Sequence, residues 1–328
     1  MEPKVTVIIP AYNRERYIGE AVASVLAQTA GDLELLVVDD GSTDGTAAVV
    51  AGIADPRVRL LSGAHQGISA AMNRGVAAAR GTYLARCDSD DMWLPDLLAT
   101  LLPVLEATPG LAAASGRGET TDAGGRPTGR LLGTAPRFRD DALCSLLWDD
   151  FTCNIATVAR RSCVEAIGGY DESLPANEDW DLWLRLARRA PIAWVDRVLA
   201  HARSHDGNTT GLGSPLFRQT QESRERVLEK VFADDRLPPA AAAMRPAAFA
   251  SLYLRSGLHW LAAGERRAAL RQFRRAMAVS GAPTTTLVRI VWRIASIRLL
   301  DRLPAGRRFL AWQSRIRRQW RDLQPRHT

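Results

Sequence analysis

The sequence of 328 residues is poor in cysteine, with only Cys87, Cys144, Cys153 and Cys163, and it contains no C-x-x-C pair. No histidine stands at a zinc-like interval from these cysteines, so neither a disulfide scaffold nor a zinc site is predicted. No uninterrupted apolar run reaches about 18 residues, and the first residues lack the charged and apolar regions of a secretory signal. We therefore expect a cytoplasmic protein without a membrane-spanning helix.

Two phosphate-binding motifs are also missing. No Gly-x-Gly-x-x-Gly follows the first predicted strand, and no Gly-x-x-x-x-Gly-Lys occurs anywhere in the sequence. These absences argue against a Rossmann dinucleotide site and against a P-loop. If the protein binds phosphates, we expect a metal ion and side chains to hold them.

The positive net charge of +7 is confined to the C-terminus. Residues 287–328 contain eleven arginines against Asp301 and Asp322, so the rest of the sequence is slightly acidic. An inference from basicity to lipid or nucleic acid therefore applies to this tail and not to the main domain.

Apolar runs alternate with helical patterns in the first third of the sequence. Lys4 to Pro10 and Glu34 to Val38 are continuous β-branched runs, which are typical of buried parallel strands. The alternation predicts an α/β fold, with a mainly parallel mixed sheet flanked by helices and ligands bound at the carboxyl ends of its strands. Further strands are expected at Val58–Leu61, Thr82–Ala85, Leu111–Ser115 and Ile155–Ala159.

Helical patterns replace the alternation after about Pro215, which predicts a C-terminal helical extension. Tyr253 to Ser280 resembles one tetratricopeptide hairpin with Gly264 at its turn, and an ordinary helical extension is the competing interpretation. We predict three regions: an α/β domain over residues 1–215, a helical region over 216–286 and a basic amphipathic tail over 287–328.

Aromatic and aliphatic residues share one face of the predicted tail helices, and arginines occupy the other. This pattern suits a helix at the interface of an anionic membrane. The same stripe could pack on the protein, or bind RNA, although a nucleic acid is the least expected of the three partners.

Two acidic clusters stand out. Asp88, Asp90 and Asp91 directly follow an apolar strand, and carboxylates at this spacing suit Mg²⁺ or Mn²⁺. Acids also cap helices and solvate loops. Glu178 and Asp179 open a predicted helix, where acids complement the helix dipole in many proteins. Neither cluster identifies a function by itself.

Six motifs in register resemble the family-two glycosyltransferases with the GT-A fold, and the resemblance covers residues 4–210. The motifs are Pro10-Ala11-Tyr12-Asn13, Val38-Asp39-Asp40-Gly41-Ser42-Thr43-Asp44, Asn73-Arg74-Gly75 with Ala79-Arg80-Gly81-Thr82-Tyr83, Asp88-Ser89-Asp90-Asp91, Gly168-Gly169-Tyr170-Asp171-Glu172 and Glu178-Asp179-Trp180-Asp181-Leu182.

This resemblance implies roles for individual residues. It assigns the nucleotide pocket to Pro10, Ala11, Tyr12, Arg14, Asp40 and Asp88, with Asp40 on the base and Asp88 beside the ribose and metal. It implies that Asp90 coordinates Mg²⁺ or Mn²⁺ and that Asp179 is the catalytic base, with Glu178 as second candidate. His205, in an Arg-x-His sequence, would approach the diphosphate or metal, or else be an exposed loop histidine.

Two features depart from the family's pattern or carry no assigned role. Met72 stands where many relatives have an arginine, and Arg74 is expected to face elsewhere on the helix, which leaves the phosphate contacts open. His65 and His201 are interpreted as structural.

The resemblance implies a metal-dependent, inverting enzyme of the hexosyltransferase class. It would move a sugar from a UDP-, GDP- or dTDP-linked donor to a glycan or glycolipid hydroxyl, in bacterial polysaccharide or glycolipid assembly. Its place would be the cytoplasm, including the inner face of the plasma membrane through residues 287–328. No Gln-x-x-Arg-Trp occurs, which argues against a processive synthase.

Two alternatives stay open at this point. One is a catalytically inactive module that binds nucleotide sugars. The other is a sugar nucleotidyltransferase, which would typically have a glycine-rich basic loop where this sequence has Ala11 to Arg14.

Overall fold

A computed structural model of the protein describes residues 2–208, 214 and 216–280. The strands in this part of the chain are β1 Val5–Ala11, β2 Leu33–Asp39, β3 Val58–Ser62, β4 Tyr83–Arg86, β5 Met92–Trp93, β6 Ala113–Thr121, β7 Pro127–Leu132, β8 Thr157–Arg160 and β9 Ile192–Arg203. The helices are α1 Ile18–Leu26, α2 Thr46–Ala51, α3 Ile68–Ala78, α4 Leu97–Ala107, α5 Ala142–Trp148, α6 Arg161–Ala166, α7 Glu178–Ala187, α8 Phe217–Phe232, α9 Pro239–Ala243, α10 Arg245–Ala262 and α11 Arg266–Val279.

The described strands form one mixed sheet in the order β3-β2-β1-β4-β8-β6-β9-β5, with β7 paired to β6. Strands β1 to β4 make the parallel half, and every residue of β1 and β2 is buried. Their uninterrupted apolar and β-branched sequences explain this burial, because a parallel strand is covered by helices on both faces. The predicted α/β class and mixed sheet are confirmed.

The other half of the sheet differs from the prediction in detail. Strand β8 is antiparallel to β4 and β6, whereas β9 is parallel to β6. β6 continues to Thr121, six residues beyond the expected end, and β8 begins only after a 3₁₀ turn at Asn154–Ala156. The sequence analysis did not predict strands β7 and β9. Their sequences are only partly buried and lack a continuous apolar run, so they give a weak local pattern.

Asn73 ties helix α3 to the glycine-rich turn after α6. Its side-chain oxygen accepts a hydrogen bond from Tyr170 N–H at 2.8 Å, and its NH₂ group donates to Tyr170 O and Glu172 Oε1. Gly169 has φ 71°, and a Cβ there would lie 2.5 Å from Asn73 Oδ1. Two of the six motifs therefore build one structural joint.

The chain divides into two compact units, residues 1–244 and a second unit that begins at Arg245. In the second unit α10 and α11 pack together, and Gly264 lies between them with φ 82°. A Cβ on Gly257 would come within 2.4 Å of the Phe273 ring, so glycine permits their close approach. The C-terminal helical extension is confirmed, whereas the predicted regions 1–215 and 216–286 stay predictions.

The basic tail predicted at 287–328 lies outside the described residues. In the part of the chain that is described, each helix is too short or too polar to cross a membrane.

Candidate active site

The polar loops of the first motifs leave the sheet at one edge. Strand β1 is parallel to both β2 and β4, so the loops that follow these three strands start side by side. Strand β9 reaches the same region, because His201 pairs with Met92, the residue directly after the Asp88–Asp91 cluster. Open α/β sheets bind ligands at this edge.

Asn13 joins the loop after β1 to the loop after β2. Its N–H donates to Ser42 Oγ at 3.0 Å, and its side-chain oxygen accepts from Thr43 N–H at 2.8 Å. Asn13 has φ 53°, and Asn177 is the other non-glycine residue with positive φ among those described. Left-handed backbone is costly for such residues and concentrates at functional sites. Asn177 directly precedes the second acidic cluster.

Asp40 is almost fully buried and its carboxylate is held in place. Oδ1 accepts from Gln66 N–H at 3.0 Å and Oδ2 from Gly67 N–H at 2.8 Å, immediately before α3 begins. The Asp40 N–H donates to Ala11 O at 2.8 Å. This carboxylate is therefore fixed between the ends of two neighbouring strands and the start of a helix.

Tyr12 lies beside Asp40, and its half-exposed ring stacks on His65 with centroids 4.1 Å apart. His65 Nδ1 lies 2.9 Å from Asp40 Oδ2, and Arg74 Nη2 lies 3.6 Å from Oδ1. The prediction that Arg74 faces away is thus wrong, whereas Met72 is buried in the core. His65, interpreted from the sequence as structural, thus contacts two predicted site residues, Tyr12 and Asp40.

Asp90 contacts two other predicted site residues, Arg14 and His205. Its Oδ2 lies 3.3 Å from Arg14 Nε and 3.0 Å from His205 Nε2. The Gly207 N–H donates to His205 Nδ1 at 3.1 Å, so neutral His205 carries its proton on Nε2 and donates to Asp90. His205 is buried against Tyr17, with ring centroids 4.6 Å apart, so it is not an exposed loop histidine.

Asp90 and His205 lie at the separation of two ligands of one divalent ion. His205 would bind that ion as the tautomer with its proton on Nδ1 and Nε2 free, which requires the Gly207 N–H to leave Nδ1. Adjacent ligands of an octahedral ion with bonds of about 2.1 Å lie about 3.0 Å apart, and Oδ2 and Nε2 are 3.0 Å apart here. In the described part of the chain, no group of three or more His, Cys, Asp or Glu side chains could hold a metal. Mg²⁺ typically takes only one or two carboxylates and fills its shell with water and substrate phosphate.

Arg203 places β9 and therefore His205. The guanidinium is buried and donates to Asp90 O at 3.2 Å, to Ala123 O at 2.9 Å and to Glu20 Oε2 at 2.5 Å. The Arg203 N–H donates to Asp91 Oδ1 at 2.8 Å. The arginine of the Arg-x-His sequence is thus a structural anchor for the acid cluster.

Arg86 connects the two acidic clusters. Its Nε donates to Asp88 Oδ1 at 2.5 Å, and its Nη1 donates to Glu178 Oε1 at 2.9 Å. The side chains of Arg86 and Glu178 are both buried, whereas Asp88 is 30% exposed. Burial raises the pKa of Asp88, and Arg86 opposes that shift. Glu178 is thus committed to an internal ion pair, which leaves Asp179 as the acid next to it.

Asp179 lies in the first turn of α7 and is partly exposed. Burial, then the negative charges of Glu178 and Asp150, raise the pKa of Asp179 to about 7, and Arg86 opposes them. Burial raises the pKa of Asp150 to about 6. A carboxyl with a pKa near neutrality can accept a proton at physiological pH, as a general base must.

The other acids of the last two motifs are structural. Lys230 Nζ on α8 donates to Asp181 Oδ1 at 2.9 Å and to Asp171 Oδ2 at 2.6 Å. Arg185 Nε donates to Asp181 Oδ2 at 2.7 Å. The Lys230–Asp181 pair joins α8 to α7, and the Arg185–Asp181 pair lies within α7. The acids around Asp179 therefore have different tasks.

Pro10 and Ala11 are the remaining residues that the resemblance assigned to the nucleotide pocket. Pro10 and Ala11 are buried in β1, paired with Val38 and Asp39, so their side chains face the interior. The sequence-based assignments missed Arg86 and Asp150. The signal for Arg86 was a lone charge at the end of an apolar strand, and Asp150 gave no signal beyond its acidic neighbour Asp149.

Comparison with known proteins gives the class to which this site belongs. Residues 6–167 match the model of the family "Glycosyl transferase family 2". Over that region the match agrees with the family that the motifs predicted.

Among curated proteins, the chain is similar to chondroitin synthase of Escherichia coli, with 30% identity over 213 residues. This match covers 63% of the chain and 30% of the synthase. Hyaluronan synthase of Pasteurella multocida is 32% identical over 216 residues, covering 63% of the chain and 21% of that protein. Succinoglycan biosynthesis protein ExoO of Rhizobium meliloti is 44% identical over 106 residues, covering 32% and 30%. The chain spans a third or less of these relatives.

Two solved structures show the fold. The mannosyltransferase PcManGT of Pyrobaculum calidifontis, in complex with GDP-Man and Mn²⁺, has a TM-score of 0.63 at 22% identity, covering 96% of this chain and 85% of that one. TarS 1–349 of S. aureus, in complex with UDP-GlcNAc, has a TM-score of 0.60 at 16% identity, covering 86% and 92%. The GT-A fold is confirmed.

The variant Arg203→Lys should lower the free energy of unfolding by about 2–3 kcal/mol, because one ammonium cannot replace three charge-assisted hydrogen bonds of a planar fork. Urea unfolding measures the change. The control is Arg197→Lys, whose side chain is 57% exposed and pairs with Asp96, and which should change stability by less than about 1 kcal/mol. Equal effects of the two variants would show that Arg203 is not an anchor.

Proposed function

We propose that the protein transfers a sugar from a nucleotide diphosphate sugar to an acceptor hydroxyl, with inversion at the anomeric carbon. The observation that carries this proposal is the position and pKa of Asp179. Its carboxyl, with a pKa of about 7, is linked through Glu178 and Arg86 to the donor-side acid cluster. A base on one side and a cation-binding carboxylate on the other are what a single displacement requires.

The donor would occupy the edge formed by the loops after β1, β2 and β4. We assign binding of the nucleotide base to Tyr12 and Asp40. The exposed ring of Tyr12 can stack on a nucleotide base, and the fixed carboxylate of Asp40 can accept hydrogen bonds from the N–H groups of that base. The ribose lies beside Asp88 in this assignment. UDP, GDP and dTDP donors stay the candidates, and the TarS and PcManGT complexes with UDP-GlcNAc and GDP-Man support a nucleotide sugar.

Asp90 and His205 are the residues that would hold Mg²⁺ or Mn²⁺. When bound, the ion would supply positive charge to the departing diphosphate. Arg14 contacts Asp90 at 3.3 Å and would remain close enough to add its own charge there. The Mn²⁺ in the PcManGT complex supports this assignment.

Asp179 would take the proton of the acceptor hydroxyl as that oxygen attacks the sugar. Glu178 is a poorer candidate, because its carboxylate is engaged in a buried ion pair with Arg86 Nη1 at 2.9 Å. A base that only deprotonates an incoming hydroxyl needs no covalent sugar intermediate, and one displacement inverts the anomeric centre.

The acceptor is proposed to be a glycan or glycolipid in bacterial polysaccharide or glycolipid assembly. The similarity to ExoO and to the chondroitin and hyaluronan synthases supports this class. The absence of a Gln-x-x-Arg-Trp sequence supports transfer of one sugar per encounter. The tail at 287–328 is proposed to bring the enzyme to anionic lipid.

The variant Asp179→Asn should lower kcat roughly 10²–10⁴-fold and leave donor affinity near wild type, because the amide keeps the shape but cannot accept the proton. In the wild type, kcat should rise with pH and level off above about pH 7, as Asp179 loses its proton. Steady-state rates and donor titrations measure both effects. A larger loss in Glu178→Gln than in Asp179→Asn would assign the base to Glu178.

The variant Asp90→Ala should abolish metal-dependent donor binding, since it removes the carboxylate next to His205. Calorimetric titration of UDP-, GDP- and dTDP-sugars with Mn²⁺, and again with chelator, measures this binding without turnover. Asp140→Ala, at an exposed position, is the control and should bind like wild type. Donor affinity that is the same in wild type with and without chelator would contradict the metal assignment.

A variant that ends at Pro283 should lose binding to anionic liposomes at low salt while it keeps nucleotide binding, because it lacks the eleven arginines of the tail. Sedimentation with anionic and with neutral liposomes measures this difference. Equal sedimentation of the full chain and the shortened chain with anionic liposomes would contradict the membrane role.

A further inference from the structure

Arg86 is a buried cation between the two halves of the site. It ends strand β4 and is 7% exposed. Beyond its bonds to Asp88 and Glu178, its Nε and Nη1 each lie 3.1 Å from the amide oxygen of Asn154, when that amide is turned so that its oxygen faces the guanidinium. The guanidinium thus has a partner from each of three separate segments.

We propose that Arg86 is a positioning residue that joins the donor-side acid loop to the start of α7 and so fixes the base Asp179 relative to the donor. The inference rests on the proposed function, because it requires Asp179 to act on the acceptor. It assigns to Arg86 a task that neither the donor site nor the base performs alone.

The geometry requires an arginine. Asp88 and Glu178 belong to segments about 90 residues apart, and one planar guanidinium donates to both through different nitrogens. A lysine carries the same charge at a single nitrogen, so it cannot meet Asp88 and Glu178 through two separate coplanar nitrogens as Arg86 does. A change of Arg86 to lysine therefore separates the charge of the residue from its bridging geometry.

The charges around Asp179 give Arg86 a second, measurable effect. The ionisable groups that act on Asp179 or on its acidic neighbours are Glu178 on α7, Asp150 after α5, Arg224 on α8, Tyr170 before α7 and Arg86 on β4. Of these, Arg86 is the cation that directly lowers the pKa of Asp179, against burial and the negative charges of Glu178 and Asp150. Without Arg86, Asp179 would hold its proton to a higher pH.

The test compares Arg86→Gln and Arg86→Lys with wild type in three measurements: donor affinity, the pH dependence of kcat, and the pH titration of the Asp179 carboxyl carbon by NMR. The NMR signal is assigned by its loss in Asp179→Asn. The control is Arg160→Gln on the neighbouring strand β8, because Arg160 bonds to the carbonyls of Leu111 and Leu105 and not to the acids.

Arg86→Gln should move both the acidic limb of kcat and the Asp179 titration upward by about 1 pH unit or more, with a loss of kcat of at least about tenfold and donor affinity within a few-fold of wild type. Arg86→Lys should leave the titration near wild type and still lose kcat. Arg160→Gln should shift neither the acidic limb of the pH profile of kcat nor the NMR titration of Asp179. An Asp179 titration unchanged in Arg86→Gln, or a loss confined to donor affinity, would overturn the inference.

A variant that keeps Arg86 covers the case in which Arg86→Gln does not fold. Glu178→Gln removes one negative neighbour, so the Asp179 titration should move to lower pH, opposite to the Arg86→Gln shift. No shift there overturns the electrostatic link. Failure of the proposed function looks different: wild type would show no turnover with any donor and acceptor, while the NMR titrations would still report whether Arg86 acts on Asp179.

Discussion

Repulsion between closely spaced carboxylates is the constraint on which this site depends. Five of them gather at one sheet edge: Asp88, Asp90, Asp91, Glu178 and Asp179. Burial beside Asp88 and Asp90 raises the pKa of Asp91, and the structure offsets the remaining charge with arginines from three different elements: Arg14, Arg86 and Arg203. Each arginine also joins segments that are distant in the sequence. The same arginines therefore compensate the negative charge and hold the segments of the site together. A bound divalent cation would neutralise more of that charge.

The sequence allowed the placement of the loops after β1, β2 and β4 at one end of the sheet to be predicted, because the pattern of each strand is local. Continuous β-branched strands predict a parallel sheet, and polar residues directly after them must lie at its carboxyl edge. The contact of His205 with Asp90 followed only from the resemblance. Arg86 and Asp150 could not be assigned, because the bond of Arg86 to Glu178 joins residues 92 apart and no local pattern predicts it. β9 was missed for the same reason, since its pairing with β6 and not its own sequence makes it a strand.

Some motif residues in this chain stabilise the fold. The presence of a motif therefore does not show that each of its residues takes part in catalysis or binding. Arg80 lies at the end of the sheet opposite the site, where its N–H and Nε donate to Glu34 at 2.7 and 2.8 Å. Gly81 follows it because a Cβ would come within 2.4 Å of the Thr6 nitrogen. Asn73 and Gly169 likewise form a joint. A motif residue becomes a candidate for catalysis only when its structural bonds leave an atom free, as at Asp179.

The residues that contact one another around Asp90 are far apart in the sequence, and this matters while the chain is being synthesised. His205 and Asp90 are 115 residues apart, and Arg203 and Glu20 are 183 apart. A chain that leaves the ribosome from its N-terminus exposes the acid cluster long before β9 exists, and closing such loops costs entropy that later contacts must recover. Arg14 and Arg86 are made early and can compensate the acids meanwhile. The region that the family model matches, residues 6–167, thus contains an acid cluster whose neighbours Arg203 and His205 are synthesised only after that region is complete.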